Sequence, residues 1–262
     1  MSINNPQHKD LITSKKFSII QDICGILAFI LAIFQGVTMC IPPKAFLVLT
    51  GVILVVEYAS SHFKSLYFDN GHRLREIGLI DNSYNEKRIP NYDSEQYYAN
   101  GSISTEEIKL LANIHENALF TSHIAEKMVG AYYIFTVASF LFFITNLFFS
   151  GMDDYSSILL SFIVSSSFFD KVIKLNSLKK SSQEVYDKAN EICNSFEKTP
   201  IKTNILMPKI LELLLMYENA IFESKIILCE RVFRKVNDSL SVEWQEIRDG
   251  YSIYKRQEEV KS

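Results

Sequence analysis

A chain of 262 residues, 48% hydrophobic and 22% charged, has room for one or two domains. Its formal net charge of −3 removes nucleic acid as a default partner, because phosphate binding wants a basic excess. Cys24, Cys40, Cys193 and Cys229 are scattered with no CxxC or Cys/His pairing, which excludes a zinc ribbon, a thioredoxin-like motif and a disulfide scaffold. A mean hydropathy of +0.07 resembles that of a soluble domain, but the average conceals apolar runs.

Residues 23–41 carry no charge. At a helical rise they cover about 28 Å, close to the thickness of a bilayer's hydrocarbon core. Pro42, Pro43 and Lys44 interrupt the pattern, and residues 45–56 resume it. Two prolines end one helix and let the next turn back, so a transmembrane hairpin is expected. Residues 1–61 form the first segment on this reading: a short cytoplasmic tail and that hairpin.

Residues 62–129 read as a cytoplasmic loop. Its first part carries scattered turn signals: Asp69, Asn70 and Gly71, then Asp81 and Asn82, then Ile89, Pro90 and Asn91. A helix is expected over about 104–129, opened by a capping box of Ser104 and Glu107. Ile108, Leu111, Ile114, Ala118, Ile124 and Met128 mark one face of it.

A second hairpin is expected over 130–175. Residues 130–149 are uncharged, 150–154 make the turn with Asp154 as N-cap, and 155–169 form a short fourth span. That span is expected to continue to Leu175, with Lys171 and Lys174 snorkelling to the headgroups. Lysines and arginines flank the spans on one side, so both termini and the central loop are assigned to the cytoplasm.

Residues 176–262 read as a cytoplasmic helical tail. Thr199 and Pro200 break its first helix, and Pro208 opens a second expected to run to Val236. Ile210, Leu214, Tyr217, Ile221, Leu228 and Val232 form an approximate heptad, a stripe that must bury against the preceding helix or another subunit. Asn237, Asp238 and Ser239 are expected to close this helix before a last one over 241–259.

Chemistry-bearing motifs are sparse. There is no glycine-rich phosphate loop, GxSxG or HExxH, so neither an enzyme nor a cofactor is expected. His115 and His123, with Glu116, suggest a weak metal pair or two polar-face residues, and His62 and His72 show no partner. Ser157, Ser161 and Ser165 recur every four residues, a face that packs a neighbour or lines a water path. Ala28, Ala32 and Gly36 offer a matching small-residue row. Glu57, Asp170 and Lys174 lie at the inner ends of the spans, either as interfacial charges or as a ring at the mouth of an oligomeric pore.

The fold class expected is therefore an all-α membrane protein, two transmembrane hairpins with a helical cytoplasmic loop and tail. This layout resembles the four-transmembrane effectors associated with SMODS nucleotidyltransferases in bacterial antiphage systems. The nearest local echoes are NNPQHKDLITSKK before the first span and NIHENALFTSHIAEKM before the third. The resemblance implies a homo-oligomer in the inner membrane that perturbs the bilayer. Its trigger would be a cytoplasmic signalling protein or a nucleotide second messenger. Two other classes stay open on the residues alone: a non-conducting anchored sensor or scaffold, and a transporter subunit.

Overall fold

The computed structural model describes residues 7–38, 41–90, 100–103, 106–150, 167–198 and 203–255. These residues are all-helical, with no strand among them. The helices are α1 (His8–Thr38), α2 (Pro43–Tyr84), α3 (Glu106–Ser150), α4 (Ser167–Lys198), α5 (Thr203–Ser224), α6 (Glu230–Gly250) and α7 (Ser252–Lys255). Two stretches, Lys44–Tyr84 in α2 and Glu106–Phe149 in α3, are long and apolar enough to cross a membrane. Residues 155–166 of the fourth apolar run, Ser104 of the capping box and the break at Thr199 and Pro200 fall outside the described residues.

The chain forms two compact units. An apolar unit comprises Asp10–Phe68 and Val129–Lys174, and a charged unit comprises Met1–Lys9, Asp69–Met128 and Leu175–Ser262. In the apolar unit α1 touches each of its neighbours. Against α2, the Ser14 hydroxyl donates to the Lys64 carbonyl at 2.8 Å, Phe17 stacks on Phe63 at 5.4 Å, and Cys24 and Ala28 pack with Ile53. Against α3, the Phe29 ring meets Phe135 at 5.4 Å and Phe142 at 5.9 Å. Side chains facing away from these contacts are apolar and uncovered: Val48 is 68% exposed, Ile134 71% and Phe148 83%.

The charged unit is built around the first half of α3. Leu110, Leu111, Ala112, Asn113, Ile114, His115, Ala118 and Leu119 are all buried, so this helix is surrounded rather than one-faced. Both the expected apolar positions and their polar neighbours are therefore covered. The unit's α2 segment runs against α5, with Lys225 meeting Asp69, Arg75 meeting Glu218 and the Tyr84 hydroxyl meeting Met207 Sδ.

Four local expectations are corrected. The turn signals at Asp69 to Gly71 and at Asp81 and Asn82 lie inside α2, which ends only at Tyr84. Side-chain hydrogen bonds use them instead: Asn113 Nδ2 of α3 donates to Asn82 Oδ1 at 2.9 Å, and Asp81 Oδ2 accepts the N–H of Arg88, just beyond the helix end, at 2.9 Å. The helix then stops on Asn85, whose φ of 51° is left-handed, while the Glu86 N–H reaches the Asp81 carbonyl at 2.9 Å. That pairing is a Schellman motif, with asparagine in place of glycine.

Pro208 lies within α5 rather than at its start: the helix begins at Thr203, and Leu206, just before the proline, is buried while Met207 meets Tyr84. The helix expected to reach Val236 breaks after Ser224. Lys225 takes a φ of 47°, its N–H bonds the Ile221 carbonyl at 3.1 Å, and Ile226 is buried. Lastly, Asn237, Asp238 and Ser239 sit inside α6, where Val236, Leu240 and Trp244 bury every fourth residue.

Candidate functional site, a buried charge cluster in the apolar unit

A lysine placed among apolar helices costs several kcal/mol unless a partner neutralises it. Lys171, near the start of α4, is only 4% exposed. Its ammonium pairs with Asp22 of α1, donates to Ser18 Oγ at 3.1 Å and lies 5.4 Å from the centre of the Tyr132 ring of α3. The Tyr132 hydroxyl in turn donates to Asp22 Oδ2 at 3.4 Å. Glu57 of α2 is buried and within electrostatic reach of Lys171. Among the described residues α1, α3 and α4 thus bring polar groups into contact in one cluster, and α2 brings Glu57 within electrostatic reach of it.

Three of the expected inner-mouth charges separate in this arrangement. Glu57 joins the cluster, whereas Asp170 and Lys174 make a 2.8 Å ion pair of their own along α4, Asp170 on the exposed side. Lys171, expected to snorkel, turns inward because it lies four residues before buried Leu175 on the face that continues through Leu178 and Val185. That phase is present in the sequence and is the signal that could have found it. Asp22, Ser18 and Tyr132 carried no such signal.

The other expected positions fare differently. Ala28 is buried beside Cys24 and Ile53, while Ala32 and Gly36 continue along α1. Ser157, Ser161 and Ser165 lie outside the described residues. Of the heptad stripe, Ile210 and Tyr217 are buried within the charged unit and Leu214, Ile221, Leu228 and Val232 are half-buried, the last two beyond the break at Lys225. Tyr217 exchanges a 2.8 Å hydrogen bond with Thr121 of α3. The Tyr217 position of the stripe is thus covered by α3 rather than by the preceding helix.

The charged unit holds two buried polar groups of its own. In the first, His115 sits among Tyr186, Trp244 and Tyr254, with Nδ1 3.1 Å from the Tyr254 hydroxyl. The Cys193 thiol donates to the same hydroxyl at 3.3 Å. Burial holds His115 down at about 4 and pushes the Cys193 thiol up to about 12, so both are neutral at physiological pH. His123 bonds instead to the Leu119 carbonyl at 3.0 Å, so the two histidines do not meet as a metal pair.

Beside His115 runs an amide chain. Trp244 Nε1 donates to Asn100 Oδ1 at 3.2 Å, and Asn100 Nδ2 donates to Asn113 Oδ1 at 2.9 Å and to Glu116 Oε2 at 2.7 Å. Burial pushes the Glu116 carboxyl up.

In the second group His72, for which the sequence showed no partner, lies 3.2 Å from Glu76 Oε1 and 3.8 Å from Glu218 Oε2. Arg75 pairs with Glu218. Burial, aided by the Arg75 charge, lowers His72 to about 4. Burial raises Glu218 against the pull of Arg75. The i,i+4 spacing of His72 and Glu76 was legible in sequence, whereas Glu218 is distant in the chain and was not.

Comparison with family models, with curated proteins and with solved structures found no match.

Proposed function

We propose that the chain is a multi-spanning membrane protein that oligomerises and permeabilises the bilayer when its charged unit is triggered. The observation that carries this reading is the inverted distribution of side chains in the apolar unit. Val48, Ile134 and Phe148 face outward while Lys171, Glu57 and Ser14 face inward. Each large apolar side chain left in water forgoes about 1.5–3 kcal/mol of burial, which lipid restores. Contacts that fall along α2 as they rise along α1, from Lys64 beside Ser14 to Ile53 beside Ala28, support the first hairpin. The lysine-rich flanks support an inner-membrane location with both termini cytoplasmic.

Four spans enclose no wide pore, so conduction requires assembly. The Lys171 pairing ties α4 to α1 and acts as the closed-state lock. The antiphage setting rests on the resemblance of layout alone. Expression in cells with potassium release or dye uptake as readout tests the proposal. Lys171→Met is expected to leak at lower expression than the wild type, because it leaves Asp22 without its cation. An intact membrane potential in both, at full expression, would sink the pore.

A second reading, a non-conducting sensor or scaffold, is favoured by Leu211, Leu215 and Phe222, which remain exposed on α5 after Ile210 and Tyr217 are covered. A stoichiometric cytosolic partner with electrically silent bilayers selects it.

A further inference from the structure

The strongest unexplained chemistry outside the apolar unit is the group formed by His72 and Glu76 on α2 and Glu218 on α5. One ligating atom from each, an imidazole nitrogen and two carboxylate oxygens, lies within 4.8 Å of the others. A tetrahedral ion with ligands near 2.1 Å needs them about 3.4 Å apart. His72 Nε2 already stands 3.2 Å from Glu76 Oε1 and 3.8 Å from Glu218 Oε2, so side-chain rotations that turn Glu218 Oε1 toward His72 close the set.

A second observation concerns Glu218 itself. Its side chain is 9% exposed, and its Oε1 is buried without a hydrogen-bond partner among the described residues. A buried carboxylate oxygen left unpaired is costly. Arg75 occupies the other oxygen, Oε2, and its guanidinium lies 5.6 Å from the centre of the Tyr217 ring. One carboxylate can thus hold Arg75 through Oε2 and a metal ion through Oε1, as ligating carboxylates that are themselves hydrogen-bonded do.

We propose that His72, Glu76 and Glu218 form a binding site for one divalent first-row transition ion, represented by Zn2+. One imidazole with two carboxylates suits Zn2+, Mn2+ or Fe2+ better than the all-oxygen sets of Mg2+ and Ca2+. Glu76, at 41% exposure, leaves a route from solvent and an open position for water. The bound ion ties α2 to α5 in the charged unit, and the proposal stands whether or not the membrane conducts.

The test uses the full chain, free of affinity tags, in detergent micelles after chelator treatment. Zn2+ is titrated against a chromogenic chelator while thermal unfolding is followed. The expected result is one Zn2+ per chain and a rise in Tm. Affinity should fall by at least about ten-fold in His72→Gln and in Glu76→Gln. Glu76→Gln guards against a folding artefact, because it is half-exposed and leaves the Arg75 pair intact. Substoichiometric binding, wild-type affinity in either variant, or displacement of Zn2+ by millimolar Mg2+ overturns the site.

Discussion

The two units handle charge in opposite ways. In the apolar unit polar groups gather into one cluster around Lys171 while the outward surface is valine, isoleucine and phenylalanine. In the charged unit the outward surface carries lysine–glutamate pairs such as Lys188 with Glu212, and the interior alternates leucine with satisfied amides. The difference teaches where each gets its stability. The charged unit buries its apolar area within the chain, as a water-surrounded helical bundle does. The apolar unit leaves much of its apolar area outside, so its stability depends on the surrounding medium.

The sharpest way to break this contrast is to empty the charged unit's core. Trp244 is 1% exposed, packs on His115 and Tyr254, and holds Asn100 through its indole N–H. Trp244→Ala should cost about 3–5 kcal/mol. Hydrogen exchange in micelles should show protection falling first in α6 and the first half of α3, and persisting around Ile53. Equal loss in both units would mean that they do not differ as described.

Protons provide a second lever, acting on the charged unit. Between pH 6.5 and about 4 the unfolded imidazole of His115 is protonated while the folded one stays neutral. The unfolded chain then binds more protons, so stability falls as pH drops through that window. The loss is at most about 3 kcal/mol for a shift of this size. His72 contributes in the same direction. Glu116 and Glu218, raised by burial, act oppositely, since their folded forms take up protons first. In His115→Gln the dependence of urea unfolding on pH over this window should flatten, and an unchanged slope would assign the acid lability elsewhere.

The smallest effect concerns the helix stop at Asn85. Its left-handed φ of 51° is native to glycine, so Asn85→Gly should change Tm little, by the equivalent of about 0.5 kcal/mol or less. Asn85→Val should be clearly destabilising, because a branched side chain disfavours that conformation.

How much of this was legible in the residues divides along physical lines. The apolar run over 130–149 in α3 was legible because its absence of charge is a local property needing no knowledge of neighbours. Helicity of the tail was legible from spacing, since Leu175, Leu178, Val185 and Ala189 repeat on one face and are all buried. The break at Lys225 was not, because neither glycine nor proline marks it and burial of Ile226 decides it. Asn82 read as a turn residue because its side chain competes with the backbone locally. Only the arrival of Asn113, 31 positions later, converts it into an interhelical donor's partner. The clusters were half legible: His72 and Glu76 share a spacing, and Lys171 shares the phase of Leu175. Their partners Glu218 and Asp22 come from other helices, which no periodicity identifies.

By itself, then, the sequence determined the class of element and the chemistry available. It called for long helices, two of those described apolar enough to cross a membrane, and side chains ready to pair. Local propensity and hydrophobic periodicity act over a few residues and are written in order along the chain. The tertiary structure alone decided which charges meet and which helices continue. It set Lys171 on Asp22, Glu218 between Arg75 and His72, and carried α2 through its turn signals to Asn85. A buried charge or amide is stable only with its partner, and the partner's position is a property of the packed fold.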